Sequence, residues 1–406
     1  MVYSVTCIDC IPPFPATFPP MPQLSSLVQN YGRQPVTFVR GSGCRLVDDQ
    51  GRSYLDAFAG VAVCALGHAH PKVVETISRQ AATLVHVSNH YRIAEQERLA
   101  ATLIGHAFPG QVLFCNSGAE ANECAYKVLR LWDNVVHGGR KPRTICFVGG
   151  FHGRTMGALS WTQTPAYREP FAPNLPCDFV PFGDVAALTA AMGDDVCGVV
   201  VEPVQGEGGV RPAPAGFLAA VRRLCDQHQA LMVVDEVQTG VARTAKAFGY
   251  QHDGITPDMM CLAKGLGGGI PIGAAVLAPK AAELLKPGLH GTTYGGNPLA
   301  CAVSLTVVDI VLEPSFLARV AVASARLVAG LQQAFPGHEV RGRGLLLGVQ
   351  LNVAPQALVT AAREEGVIVG PAGSNTLRFA PPLIISDSEI DELCAAVGRA
   401  RERVGA

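Results

Sequence analysis

The amino-acid sequence predicts an α/β protein: a large domain on a mostly parallel central sheet flanked by helices, then a smaller α+β domain. Two observations carry this. Short continuous apolar runs (V-L-F-C, T-I-C-F-V, G-V-V-V, L-M-V-V, M-M-C-L) alternate with amphipathic helical stretches, the pattern of strands buried on both faces. Polar and Gly-rich residues follow those runs, at the carboxyl ends of the strands, where open α/β sheets bind ligands. The bulk numbers agree. At 406 residues, 49% hydrophobic and 16% charged with a net charge of -1, the chain can bury a large core. It carries no broad electrostatic footprint for nucleic acid or an anionic membrane.

Residues 1–22 hold six prolines and are expected to form a flexible extension. Residues 23–70 are expected to pack with the small domain. Within them, Phe38 to Phe58 reads as short antiparallel strands turning at Asp49-Gln50-Gly51, ahead of the loop A-L-G-H-A-H-P. His68 and His70 have no third ligand nearby, so they are read as structuring that loop.

Residues 71–310 form the large domain. Helices are expected from Pro71 to about Leu84 and from Glu95 to about Phe108. The strand Gln111–Cys115 runs into N-S-G-A-E-A-N-E and a helix to about Trp132; Thr144–Val148 leads into G-G-F-H-G-R-T. The strand C-G-V-V-V-E-P opens on V-Q-G-E-G-G-V, and a helix from Ala215 to about His228 precedes L-M-V-V-D-E-V-Q-T-G. P-D-M-M-C-L-A and A-A-V-L-A are further buried strands, split by a Gly-dense turn holding Lys264. Residues 311–406 form the small domain: helices near Phe316–Phe335, Pro355–Glu365 and Ser386–Arg403, a strand R-G-L-L-L-G-V-Q-L, and short strands near Val367 and Leu377.

Thirteen cysteines scattered through apolar segments read as reduced core thiols, and Cys7-Ile8-Asp9-Cys10 lacks the second half of a metal site. No uninterrupted apolar run reaches membrane-spanning length, and no basic region precedes a long apolar core at the N-terminus. The expected location is cytoplasmic.

Four features then converge. Lys264, held between buried strands, loses water; a desolvated amine has a lowered pKa and becomes a nucleophile. Ser117 caps a helix whose first amides, at Gly118 and Ala119, suit a phosphate. Asp235 ends an apolar strand, and a protonated ring nitrogen would offset the cost of burying its carboxylate, with Gln238 turning back into the same cleft. Phe151 can stack on a flat ring, and Arg154 can grip a carboxylate. These are the requirements of pyridoxal 5'-phosphate.

The motifs A-L-G-H-A-H-P, N-S-G-A-E-A-N-E, F-H-G-R-T, E-P-V-Q-G-E-G-G-V, D-E-V-Q-T-G, A-K-G-L-G-G-G-I-P-I-G-A, H-G-T-T-Y-G-G-N-P-L-A and L-R-F-A-P-P-L stand in register from about Tyr31 to the last helix. On them the chain resembles the class III aminotransferases of pyridoxal-phosphate fold type I, nearest to those acting on acetylornithine. The resemblance implies Lys264 as the Schiff-base lysine and proton shuttle, Asp235 at the pyridine nitrogen and Gln238 at the ring hydroxyl. It implies Gly118 and Ala119 at the phosphate, Phe151 on the ring, and Thr293 completing the phosphate site of a second subunit in a homodimer. Arg154 would bind the α-carboxylate of acetylornithine, and Arg378 that of glutamate or 2-oxoglutarate. Glu207 would pair with Arg378 when glutamate is absent, Thr292 would touch substrate, and Tyr31 would line the entrance.

The sequence departs from that family where V-A-R-T-A places Ala242 and Ala245 at usual glycines, and at His90-Tyr91-Arg92-Ile93-Ala94. The expected reaction moves a terminal amine from acetylornithine to 2-oxoglutarate in arginine biosynthesis. Ornithine, succinylornithine and 4-aminobutyrate are the alternative donors. An aminomutase fits less well, because paired arginines suit a dicarboxylate co-substrate. A nicotinamide dehydrogenase lacks its G-x-G-x-x-G after the first strand, and a cofactor-free binding protein would not need Lys264 and Asp235.

Overall fold

The computed structural model describes residues 26–405. The proline-rich stretch and Cys7-Ile8-Asp9-Cys10 lie outside the described residues. The architecture centres on a seven-stranded sheet in the order Gln111–Cys115, Gly273–Leu277, Met259–Leu262, Leu231–Asp235, Val196–Val201, Arg143–Phe147, Cys177–Val180. Gly273–Leu277 alone runs antiparallel to its neighbours; the other pairings are parallel. The mostly parallel sheet expected from the apolar runs is therefore present. Every residue of Val196–Val201 and Leu231–Asp235 is buried, which explains why these strands read as unbroken apolar runs rather than alternating ones.

Helices cover the sheet. Ser117 caps the helix Gly118–Leu131, its Oγ accepting from Glu120 N at 3.2 Å, and the helix lays Ala121, Cys124, Ala125 and Val128 into the core. Among the elements that escaped the sequence reading are the edge strand Cys177–Val180, the short helices Met156–Trp161 and Val185–Ala191, and the helix Pro298–Val311. The last of these is buried on almost every side, so it shows no polar stripe and no readable period. The helix Pro314–Ala334 is long and apolar enough to cross a membrane. It carries Arg319 and Arg326, however, buries Val320, Ala323, Leu327 and Leu331, and pairs Arg326 with Asp391 of the helix Asp387–Val404.

The strands Phe38–Ser42, Arg45–Asp48 and Ser53–Asp56 form a meander that continues, through Leu55 and Asp56, into a parallel pairing with Val367–Ile368. Its tight turn is held by Asp48 Oδ1, which accepts from Gln50 N at 3.0 Å and Arg52 N at 2.8 Å. A second sheet orders Val340–Arg343, Leu346–Gln350, Thr376–Phe379 and Gly370–Ala372, all antiparallel. It delivers Arg378 toward the large sheet.

Two segments adopt left-handed backbone without glycine's freedom. Ala59, Gly60, Val61 and Ala62 have φ of 49°, 62°, 67° and 64°, and Ala62 N and Val63 N donate to Phe58 O and Ala59 O, giving one left-handed helical turn. Val241, Ala242 and Ala245 have φ of 54°, 66° and 64°. Each non-glycine residue there costs roughly 1–2 kcal/mol. The loop is retained because Arg243, inside it, is buried and donates to Leu345 O and Pro381 O at 3.0 and 2.6 Å. The two alanines that replace the family's glycines thus sit where glycine relieves strain. Ala245→Gly should stabilise the protein by roughly 0.5–1 kcal/mol, while fully buried Ala242 gains less because its methyl contact is lost. Denaturant midpoints of the two variants check this; a fall in midpoint for Ala245→Gly would contradict it.

Candidate active site

A cavity of about 440 Å³ opens over the carboxyl ends of the sheet strands. Each wall comes from a segment that follows a strand: Asn116 to Ala119 after Gln111–Cys115, Phe151 to Arg154 after Arg143–Phe147, and Glu202 and Glu207 after Val196–Val201. Asp235 to Gln238 end the strand Leu231–Asp235, and Lys264 follows Met259–Leu262. The sheet's connections therefore bring Lys264, Asp235, Ser117, Gly118, Ala119, Phe151, Arg154, Glu207 and Gln238 into one cavity. Arg378 reaches its edge from the second sheet through Glu207.

Asp235 sits on the cavity wall, 3% exposed. His152 Nδ1 and Asn122 Nδ2 donate to its Oδ2 at 2.7 and 2.8 Å, and Val237 N donates to Oδ1 at 3.0 Å. Burial works against a charged His152, but the bond to Asp235 raises its pKa above the ordinary imidazole value. Sequence reasoning missed both partners. Asn122 stands one helical turn beyond Gly118 in N-S-G-A-E-A-N-E, and His152 lies inside F-H-G-R-T, so spacing alone could have found Asn122.

Glu202 is a further missed residue. Burial pushes its carboxyl up to about 7, and its oxygens accept from Phe151 N at 3.1 Å and Gly206 N at 3.2 Å. It ties the Phe151 loop to the turn that carries Glu207.

Lys264 is half-buried and adopts φ of 41°, an unusual backbone for a residue with a side chain. Burial in the cavity pulls its pKa below the ordinary ammonium value, opposed by the charge of Glu207. The glycines after it shape the turn: Gly268 and Gly269 have φ of 56° and 117°. Gly118 leaves a different gap, since a Cβ there would lie 2.7 Å from Val237 Cγ1.

Glu207 and Arg378 form a two-pronged ion pair, Arg378 Nη1 to Oε1 at 2.5 Å and Nη2 to Oε2 at 3.3 Å. Burial alone would raise the Glu207 pKa; the Arg378 guanidinium outweighs it and holds the carboxyl below its ordinary value. Gln238 joins them, accepting from Arg378 Nη1 at 3.1 Å and donating to Glu207 Oε1 at 3.3 Å. Arg154 is exposed at the mouth, its guanidinium 3.5 Å from the Tyr167 ring centroid and 5.6 Å from that of Phe151. Among the described residues it has no carboxylate partner.

Three predicted site residues do not reach this cavity within one chain. Thr292 and Thr293 line a separate cavity of about 630 Å³ with His86, Asn89 and His90, where Thr292 Oγ1 accepts from Asn116 Nδ2 at 3.1 Å. Tyr31 is 71% exposed, with Arg33 over its ring.

The donor set fits pyridoxal 5'-phosphate. A buried carboxylate with three ordered donors remains able to meet a cationic ring nitrogen, and the amides of Gly118 and Ala119 lie in a helical first turn with no intrahelical acceptor. Gly118 keeps a Cβ out of that cradle.

Comparison with known proteins agrees with this geometry. The aminotransferase class-III family model matches residues 27–400. The chain is 44% identical over 372 residues to the acetylornithine aminotransferase of Caldanaerobacter subterraneus subsp. tengcongensis, covering 90% of this chain and 94% of that one. The solved N-acetylornithine aminotransferase of Stenotrophomonas maltophilia superposes with a TM-score of 0.80 at 39% identity, covering 92% and 97% of the two chains. The ornithine aminotransferase of Toxoplasma gondii superposes with a TM-score of 0.90 at 32% identity, covering 94% and 92%. With Lys264, the buried Asp235 and the first amides of a capped helix on one cavity, and a family match over almost the whole chain, the protein belongs to the class III pyridoxal-phosphate-dependent aminotransferases.

Proposed function

We propose that the protein moves the terminal amine of N2-acetyl-L-ornithine, or of a close ω-amino acid, to 2-oxoglutarate, giving a semialdehyde and glutamate in arginine biosynthesis. The observation that carries this reading is the Glu207–Arg378 ion pair at the edge of the Lys264 cavity. An ω-amine and glutamate must use one site in turn, and a breakable pair lets one guanidinium be masked for the first and displayed for the second.

The cofactor, when bound, supplies the electron sink for exchanging amine and carbonyl. The chain supplies the rest. Asp235, held by His152 and Asn122, would pair with the ring nitrogen, and Phe151 and Val237 bound the cavity that would hold the ring. Lys264 Nζ, its proton loosened by burial, takes the proton from the amine-bearing carbon of the substrate and gives it back on the other side of the exchange. Arg154, with no acidic partner among the described residues, anchors the far α-carboxylate of the ω-amino donor. Arg378 then holds the α-carboxylate of 2-oxoglutarate once Glu207 gives way.

Thr292 and Thr293 serve a neighbouring copy in a homodimer, where Thr293 completes the phosphate site, Thr292 touches substrate, and Tyr31 borders the entrance. Exposed Leu84, Val85, Leu289 and Tyr294 support a contact on that face. We place the enzyme in the cytoplasm.

Borohydride treatment of cofactor-loaded protein should fix the cofactor on Lys264, read by mass spectrometry of the peptide, and single-turnover rates should rank acetylornithine above ornithine, succinylornithine and 4-aminobutyrate. A faster reaction with 4-aminobutyrate would overturn the donor assignment. Arg378→Ala should slow the 2-oxoglutarate half-reaction by roughly 10- to 150-fold, the loss of a charge-assisted contact worth about 1.5–3 kcal/mol. The first half-reaction should change far less; equal losses in the two would reject the role.

A further inference from the structure

The left-handed turn at Ala59–Ala62 stands beside the site without contributing a polar group to it. Asp56, 2% exposed, ends the strand before it. Its Oδ1 accepts from Phe58 N at 2.9 Å and Ala59 N at 2.8 Å, and its Oδ2 accepts from His68 Nε2 at 2.8 Å. His68 is itself bolted to the meander, since its N–H donates to Gly43 O at 2.8 Å and its carbonyl accepts from Gly43 N at 2.9 Å. The bond to Asp56 raises the His68 pKa to about 9, so His68 carries its proton at neutral pH. One carboxylate thus fastens the start of a strained turn to a fixed loop.

That turn has two faces. Ala57 O accepts from Ala380 N at 2.8 Å, joining it to the strand that carries Arg378. The Phe58 ring lies against the Arg378 guanidinium, 5.1 Å from ring centroid to Cζ. Gly370 makes room for it, because a Cβ at Gly370 would collide with Phe58 Cε2 and Cζ. On the other side, Val63 lines the Lys264 cavity and Ala62 O lies close beside Gly265.

Arg378 depends on this support more than its ion pair implies. Its Nε is buried without a hydrogen-bond partner. If Glu207 moves aside for a substrate carboxylate, Gln238 and the Phe58 ring are the contacts that remain. A cation held over an aromatic face keeps its position while its anions exchange.

We propose that Phe58, Asp56 and His68 are positioning residues for the dicarboxylate half-reaction: the Asp56–His68 pair locks the left-handed turn, and the turn seats Phe58 against Arg378. The proposal rests on the assignment of Arg378 to 2-oxoglutarate.

Phe58→Leu keeps an apolar side chain but removes the π face, and Asp56→Asn keeps an acceptor for the two amides but weakens the hold of His68. For folded, cofactor-loaded variants, both half-reactions are measured separately, together with the dissociation constant of glutarate as a non-reacting dicarboxylate. The expected result for Phe58→Leu is a KM for 2-oxoglutarate and a glutarate dissociation constant raised roughly 2- to 30-fold, the range for a lost cation–π contact. The KM for the ω-amino donor stays within about twofold. Asp56→Asn moves the same constants in the same direction; should it fail to fold, Phe58→Leu alone decides. Equal losses in both half-reactions would mark the turn as structural only, and unchanged glutarate binding would reject the contact. If the unaltered enzyme does not use 2-oxoglutarate at all, the Arg378 assignment falls instead, a result separate from either.

Discussion

A carboxylate at the end of a strand buried on both faces costs several kcal/mol unless ordered donors surround it. Asp235 meets that condition through His152, Asn122 and the amide of Val237, each drawn from a different loop or helix over the sheet. The helix Gly118–Leu131 is fixed relative to the strand Leu231–Asp235 through Asn122, and the Phe151 loop through His152. The start of the helix Gly118–Leu131, the Phe151 loop and the Asp235 carboxylate are therefore one hydrogen-bonded unit. Lys264, one strand away in the order of the sheet, completes it.

Backbone strain gathers around that unit. Lys264, the turn Ala59–Ala62 and the loop Val241–Ala245 all hold non-glycine residues at positive φ. Strain of this kind persists only where the surroundings over-determine it. Here the restraints are specific: Asp56 and His68 for the first turn, and the buried Arg243 for the loop. The turn Ala59–Ala62 lies next to Arg378 and the cavity. Phe58 adjoins Arg378, and Val63 forms part of the cavity wall.

The central strands were legible because burial on both faces leaves a plain apolar run, and their carboxyl ends were legible because Gly, Ser and Asp cluster there. The helix Pro298–Val311 was not, since a helix surrounded by protein has no polar stripe to mark its period. Ala242 and Ala245 stand where the family resemblance has glycine, and the backbone is left-handed at both. His152 and Glu202 were hidden for a different reason. Asp235 and Phe151 come from segments distant in sequence, and only the strand order brings Asp235 to His152 and Phe151 to Glu202. Asp56 and His68 show the same limit: His68 was read as organising its own loop, while its partner lies across the meander.

The account depends above all on Asp235 facing a positively charged ring nitrogen. Asp235→Ala loaded with pyridoxal 5'-phosphate should lose roughly 10- to 150-fold in the first half-reaction, because a charge-assisted bond is removed. The same variant loaded with an N-methylated cofactor analogue, whose ring charge is permanent, should recover a substantial part of that rate. Full activity in Asp235→Ala, or no recovery with the analogue in a folded protein, would contradict the account.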